Sequence, residues 1–198
     1  SILLQVWKKL FSRDCPKKFS EYVQDRKTVF ERVRQSFPDL TDKQLKSAFL
    51  KAMHGGSYKK ADKRTGEFVL GSMEIEVSEL DEFKKAVKEM MREIRKHEKY
   101  KPFWESIQAN KEKDNKHGTF VSHVYQQHEK EVVVENLLPF FKQRGRAVGV
   151  LTHDGLMIEK LDEKKEKTLD PQILRDAEAY VEEKTGLRLT LVEKSLEP

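Results

Sequence analysis

Apolar and polar positions alternate along the chain in patterns that switch between helical and strand periods. The opening Ile2-Leu3-Leu4-Gln5-Val6-Trp7 is strongly apolar and predicts a short helix more readily than a strand. From Lys17 onward, Phe19, Tyr22, Val23, Phe30 and Val33 trace one face of a helical pattern that Pro38 ends. Thr41 followed by Gln44 has the spacing of a capping box, and Leu45, Phe49, Leu50 and Met53 supply the stripe of the helix it opens. Gly55-Gly56 closes that helix, because glycine readily takes the left-handed conformation after a C-cap. Residues 57–77, with Gly66, Gly71 and the alternating Glu67-Phe68-Val69-Leu70, predict a loop with a short hairpin. Ser78 stands as the cap of a long helix carrying Leu80, Phe83, Val87, Met90, Met91 and Ile94. Pro102 and the polar stretch from Asn110 to Lys116 predict a break. A further long helix is expected from about Thr119 to Lys142, with Phe120, Val124, Val132, Val133, Leu137 and Phe141 inward.

The character changes after Gly145. Ala147-Val148-Gly149-Val150-Leu151 predicts a short buried strand, Thr152-His153-Asp154-Gly155 a turn, and Leu156-Met157-Ile158 the returning strand of a β-hairpin. Asp170-Pro171 has the N-cap and N1 chemistry of a helix start, and Gly186 closes that helix. Leu187, Leu189 and Leu191 alternate with Arg188 and Thr190, which predicts a half-buried terminal strand. The expected fold class is α+β, with a mainly helical region over residues 1–118 and a small antiparallel sheet within residues 119–198.

Composition narrows the function classes only modestly. Among 198 residues, hydrophobic and charged types each make up 37%, a balance that favours long solvated helices. The net charge of +5 permits a polyanionic partner without naming one. The single cysteine, Cys15, excludes a disulfide or a Cys-based zinc site within the chain, and without an evident His and acid partner it reads as structural. No apolar run approaches the roughly 20 residues of a membrane span, and Ser1 to Trp7 has no charged leader or cleavage site. A nuclear or cytoplasmic location and no membrane partner are therefore expected.

Two places could carry chemistry. At the hairpin tip, His153-Asp154-Gly155 holds a carboxylate at a fixed point between two apolar strands. Nucleotidyl transfer uses such a placement, since two divalent ions about 4 Å apart must bridge attacking and leaving oxygens. Hard Mg²⁺ favours carboxylate and water ligands. Asp-Gly is equally an ordinary hairpin turn. The second place is the helix before Gly55, where Lys46, Leu50 and His54 follow at four-residue intervals, each about 40° round the helix from the last, with Lys43 near them. A lysine there suits a triphosphate, while lysines on an amphipathic helix are commonly just solvated. Lys59-Lys60-Ala61-Asp62-Lys63-Arg64 could touch a phosphate backbone or be a solvated loop. His123, His128 and Glu129 share a helix without a zincin spacing. Phe103-Trp104 reads as a core anchor.

The order of these features resembles family A DNA polymerases over most of the chain. Lys46 with His54-Gly55 eight positions on is similar to motif B, and Val150-Leu151-Thr152-His153-Asp154 to motif C. Ser122 to Glu129 stands where the family places a palm helix, and Glu183 to Leu191 is similar to the end of a palm. The likeness is nearer the divergent branch associated with transposons and viruses than the bacterial repair enzymes. It implies a fingers-like region and a palm part that act on a DNA primer-template with dNTP and Mg²⁺. Asp154 would be the motif C metal ligand, with His153 beside it near the primer terminus. Lys46, with Lys43 nearby, would contact the triphosphate, and His54, followed by Gly55, would check the nascent base pair. Glu129 is a further candidate facing the site.

The sequence departs from that pattern in three places. Gly155 follows the motif C aspartate where cellular members carry an acid. Asp42 stands where motif B has an arginine, with Lys43 and Arg34 as the nearest replacements. No motif A aspartate precedes Lys46, and Ile2 to Val6 is similar to the stretch that follows it in the divergent branch. The chain is accordingly expected to begin just after that aspartate, as a C-terminal polymerase fragment inactive alone. Two further readings stand beside this one: a non-catalytic, basic helical module that binds nucleic acid, and a decayed mobile-element product that keeps the fold without activity.

Overall fold

The computed structural model describes residues 2–59, 69–70, 76–112, 114–152, 155–159 and 169–194. The described residues are mostly helical with one small two-stranded antiparallel sheet, an α+β arrangement. It divides into two compact units, Leu3–His123 and the residues from Val124 onward.

The first unit opens with α1 (Ile2–Leu10), which buries Leu3, Leu4, Val6 and Trp7. The pattern from Lys17 forms two helices rather than the single one expected. They are α2 (Lys17–Gln24) and α3 (Arg26–Ser36). Asp25 divides them, because its carboxylate accepts from the Thr28 amide and hydroxyl and caps the second helix. The helix α4 (Asp42–Met53) starts on the capping box read from Thr41 and Gln44. It ends in a Schellman motif, with Gly56 N–H donating to Lys51 O and Gly55 N–H to Ala52 O. Gly55 takes φ +74°, as that motif requires.

The hairpin expected within residues 57–77 falls largely outside the described residues. Its flanks are held together by Tyr58, whose hydroxyl donates to Val77 O at 3.0 Å and accepts from Val77 N–H at 3.2 Å. Ser78 is the first residue of α5 (Ser78–Ile94) and not its cap; Val77 occupies that position without a side-chain bond. Pro102 begins a helix instead of breaking one, since a proline in the first turn loses no hydrogen bond; α6 spans Lys101–Ala109. Phe19, Tyr22, Phe30, Phe49 and Phe83 from α2, α3, α4 and α5 form one aromatic cluster. Tyr22 stacks on Phe49 at 4.7 Å and Phe83 meets Phe49 edge-on at 5.0 Å.

The long helix expected to Lys142 is interrupted. It comprises α7 (Lys116–Val132), a π-helical turn at Val133–Leu137, and α8 (Leu138–Gln143). Pro139 has no amide hydrogen to continue an α ladder, the Leu138 amide reaches back to Val133 O, and the Asn136 side chain donates to Glu131 O at 2.7 Å. The second unit is completed by β1 (Val148–Thr152), β2 (Gly155–Ile158) and α9 (Pro171–Thr185). The strands pair with Leu151 opposite Leu156 and a register irregularity after Val148. The first strand is not buried as expected: Val150 is 57% and Leu151 44% exposed, in a sheet that has two strands among the described residues. Asp170 caps α9 through the Gln172 amide, and Gly186 ends it at φ +70°. Residues 187–194 form no strand, since the Leu191 amide bonds to the Glu178 carboxylate instead of a ladder. Leu189 and Leu191 still turn inward onto Phe140, Phe141, Ala177 and Val181.

Candidate functional site

The motif-like helix α4 turns two kinds of side chain outward. Leu45, Ala48, Phe49, Ala52 and Met53 are buried on one face, which leaves Lys43, Lys46 and Leu50 on the other. Leu50, at 41% exposed, joins the solvated side instead of the core stripe expected of it. Lys43 and Lys46 are exposed and form no ion pair with any described residue. Arg34, expected as a candidate replacement for an arginine on this helix, is engaged elsewhere. Its guanidinium pairs with Asp42 and donates to Leu40 O, tying α3 to the start of α4.

His54 sits at the C-cap of α4 and is fixed from both ends. Its Nδ1 lies 3.2 Å from the Ser122 hydroxyl on α7, and its carbonyl accepts from Asn115 Nδ2 at 2.8 Å. Asn115 also accepts from the Gly118 amide through Oδ1, so one side chain caps α7 and clamps it to the end of α4. The approach is close enough to demand glycine. A β-carbon on Gly118 would stand 2.5 Å from His54 O, and one on Gly55 2.7 Å from the His117 ring.

His117 lies between these elements. Burial first, then the positive charges of Lys88, Arg95 and His54, hold its pKa below the ordinary imidazole value, against a backbone hydrogen bond to Met53 that favours its charged form. Its Nε2 is buried without a hydrogen-bond partner among the described residues. On α5, Lys84 Nζ donates to Gly56 O at 2.7 Å, which brings that helix to the same turn. Ser122 was legible only as part of a palm-like helix start. Asn115, His117 and Gly118 fell at the edge of a stretch read as a break. An Asn three positions before a Gly was the available cue to a capped helix start.

His153 and Asp154 lie outside the described residues, as does the Lys60 to Arg64 part of the basic run. Lys59 bonds to Glu76 and Asp81. Gly55 lies at the α4 turn already described, and Glu129 is half-buried on α7 within the second unit. His128 is buried, with Nδ1 2.9 Å from a Glu131 carboxylate oxygen. His123 stacks on Phe103, and burial lowers its pKa. Trp104 meets Phe120 edge-on and carries Arg95 over its ring. Burial pushes the Cys15 thiol up to about 12, which suppresses the thiolate.

Mg²⁺ is implied by the resemblance through Asp154. Among the described residues no group of three or more His, Cys, Asp or Glu side chains is placed to hold a metal ion. Among them, too, no helix is long and apolar enough to cross a membrane. In comparisons with protein-family models, curated proteins and solved structures, nothing matches this chain.

Proposed function

We propose that this chain is the fingers-like and palm part of a DNA-directed DNA polymerase, with α4 as the helix that meets the incoming nucleotide. The observation that carries the reading is the solvent face of α4: Lys43 and Lys46 without an ion pair among the described residues, exposed Leu50, and His54 fixed at the helix end by Ser122. A lysine ammonium that is not held by a carboxylate can donate charge-assisted hydrogen bonds to a triphosphate. A ring anchored at Nδ1 presents Nε2 in one orientation, which suits a residue that tests the shape of a base pair. Magnesium bound at Asp154 would neutralise charge on the transferring phosphoryl group. A two-ion centre needs a second carboxylate beside Asp154.

Binding of a fluorescent dNTP to the chain with a primer-template and Mg²⁺ tests the reading. The expected result is binding that Lys46→Ala weakens about tenfold or more, one charge-assisted contact being worth roughly 1.5–3 kcal/mol, with Asp154→Asn removing the dependence on metal. Affinity unchanged by both substitutions would refute it in favour of the basic, non-catalytic nucleic-acid-binding module.

A further inference from the structure

Cations in the first unit fall into two groups. Lys18, Arg32 and Arg13 lie on carboxylates: Lys18 and Arg32 share Glu79 at 2.9 and 2.7 Å, and Arg13 meets Glu93. Lys84, Lys88 and Arg95 have no carboxylate within ion-pairing distance among the described residues. They nevertheless fall within about 40° of one another round α5 and its C-cap, forming one ridge along the edge of its apolar stripe.

The ridge is organised. Lys84 is anchored on Gly56 O, and the Arg95 guanidinium lies 4.5 Å from the centre of the Trp104 ring. Lys88 is exposed between them. Asp81, the acid that acts on Lys84, is already engaged by Lys59 at 3.2 Å. Burial lowers the pKa of both Lys84 and Arg95, so two partly desolvated cations are held without a carboxylate at ion-pairing distance among the described residues. Such an arrangement is stabilised by an anion from outside.

The length of the ridge selects the anion. From Lys84 to Arg95 the helix rises about 16 Å. A single phosphate cannot touch cations spread so far, whereas a nucleic-acid strand carries a phosphate about every 3.4 Å of rise. The geometry points to a strand-binding ridge in which Lys84, Lys88 and Arg95 hold phosphates spaced along the backbone of one nucleic-acid strand, starting beside the turn that ends α4. This inference rests on the nucleic-acid reading above and adds to it the path of a strand.

The test is anisotropy of a labelled single-stranded oligonucleotide titrated with the full chain over a salt series, with folding of each variant checked by circular dichroism. Lys88→Ala with Arg95→Ala is expected to weaken binding at least fivefold and to reduce the log–log salt slope by about 1.4, roughly 0.7 per phosphate contact. Lys8→Ala with Lys27→Ala, which removes equal charge elsewhere, should change neither. The conservative pair Lys88→Arg with Arg95→Lys should bind as the parent does, which separates lost charge from lost structure. Parental affinity and slope in the double alanine variant, alongside Lys46-dependent dNTP binding, would overturn the ridge and leave the polymerase reading standing. Loss of dNTP binding alone in that variant would equally overturn it, since the phosphate would then be the nucleotide's. A parent chain that binds neither oligonucleotide nor dNTP removes both proposals.

Discussion

Glycine conformation and glycine space are separable here. Gly145 and Gly55 both have positive φ, at +70° and +74°, but a β-carbon on Gly145 meets nothing within 4 Å while one on Gly55 strikes the His117 ring. Gly145→Ala is therefore expected to cost only the left-handed penalty, about 1–2 kcal/mol. Gly55→Ala adds overpacking of about 1–3 kcal/mol. Gly118→Ala lacks the φ penalty yet meets a backbone oxygen that cannot swing aside, so it should match or exceed Gly145→Ala. Denaturant midpoints of the three variants give the order. The same residues show how far the site was legible. Gly55 was readable as a helix stop, because stopping a helix is a local act. That it also admits His117 was not, because the contact joins segments far apart in the chain. Lys46 and His54 could be placed on one face from helical spacing alone, whereas the Ser122 and Asn115 bonds that fix His54 depend on tertiary approach.

Elements were legible where caps and period agreed. Thr41 with Gln44, Asp170 with Pro171, and Gly186 all mark real ends because each satisfies backbone groups within its own turn. Apolar periodicity misled where the chain keeps its apolar face but changes its hydrogen bonding, at Asp25 and again at Val133–Leu137. The terminal leucines likewise keep an alternating inward pattern without a neighbouring strand to pair with. Asn136 makes the π turn testable. It is 9% exposed, and its amide supplies the bond to Glu131 O. Asn136→Ala removes that donor and is expected to cost about 0.5–1.5 kcal/mol, the net worth of one hydrogen bond. Asn136→Gln, one methylene longer, should restore little of it. Chemical denaturation of both variants measures this, and an unchanged midpoint in the alanine variant would mean that the turn rests on Pro139 and the apolar contacts of Leu137 alone.

At the scale of the whole molecule, acid should act in two stages set by groups inside the first unit. His117 has a folded pKa below its ordinary 6.5, mainly through burial, and His123 shares that direction for the same reason. The unfolded chain binds their protons first, so stability is full above pH 6.5 and falls as pH drops from there toward the folded values. Glu79 acts lower. Burial alone would raise its pKa, but hydrogen bonds from Arg32 and Lys18 outweigh burial and bring it below 4.5. Its contribution is present above pH 4.5 and lost as pH falls through the folded pKa. Each group can contribute a slope of at most about 1.4 kcal/mol per pH unit. Denaturant midpoints between pH 8 and pH 3 should therefore fall first below about 6.5 and again below about 4.5. His117→Gln should flatten the upper stage without abolishing it, because His123 remains, and should leave the lower stage intact. Glu79→Gln should do the reverse, and should also lower stability at neutral pH by about 1–3 kcal/mol by leaving Lys18 and Arg32 short of a carboxylate. An upper stage unchanged by His117→Gln would show that the proton enters elsewhere, and that His117 in the folded chain titrates as a solvated imidazole does.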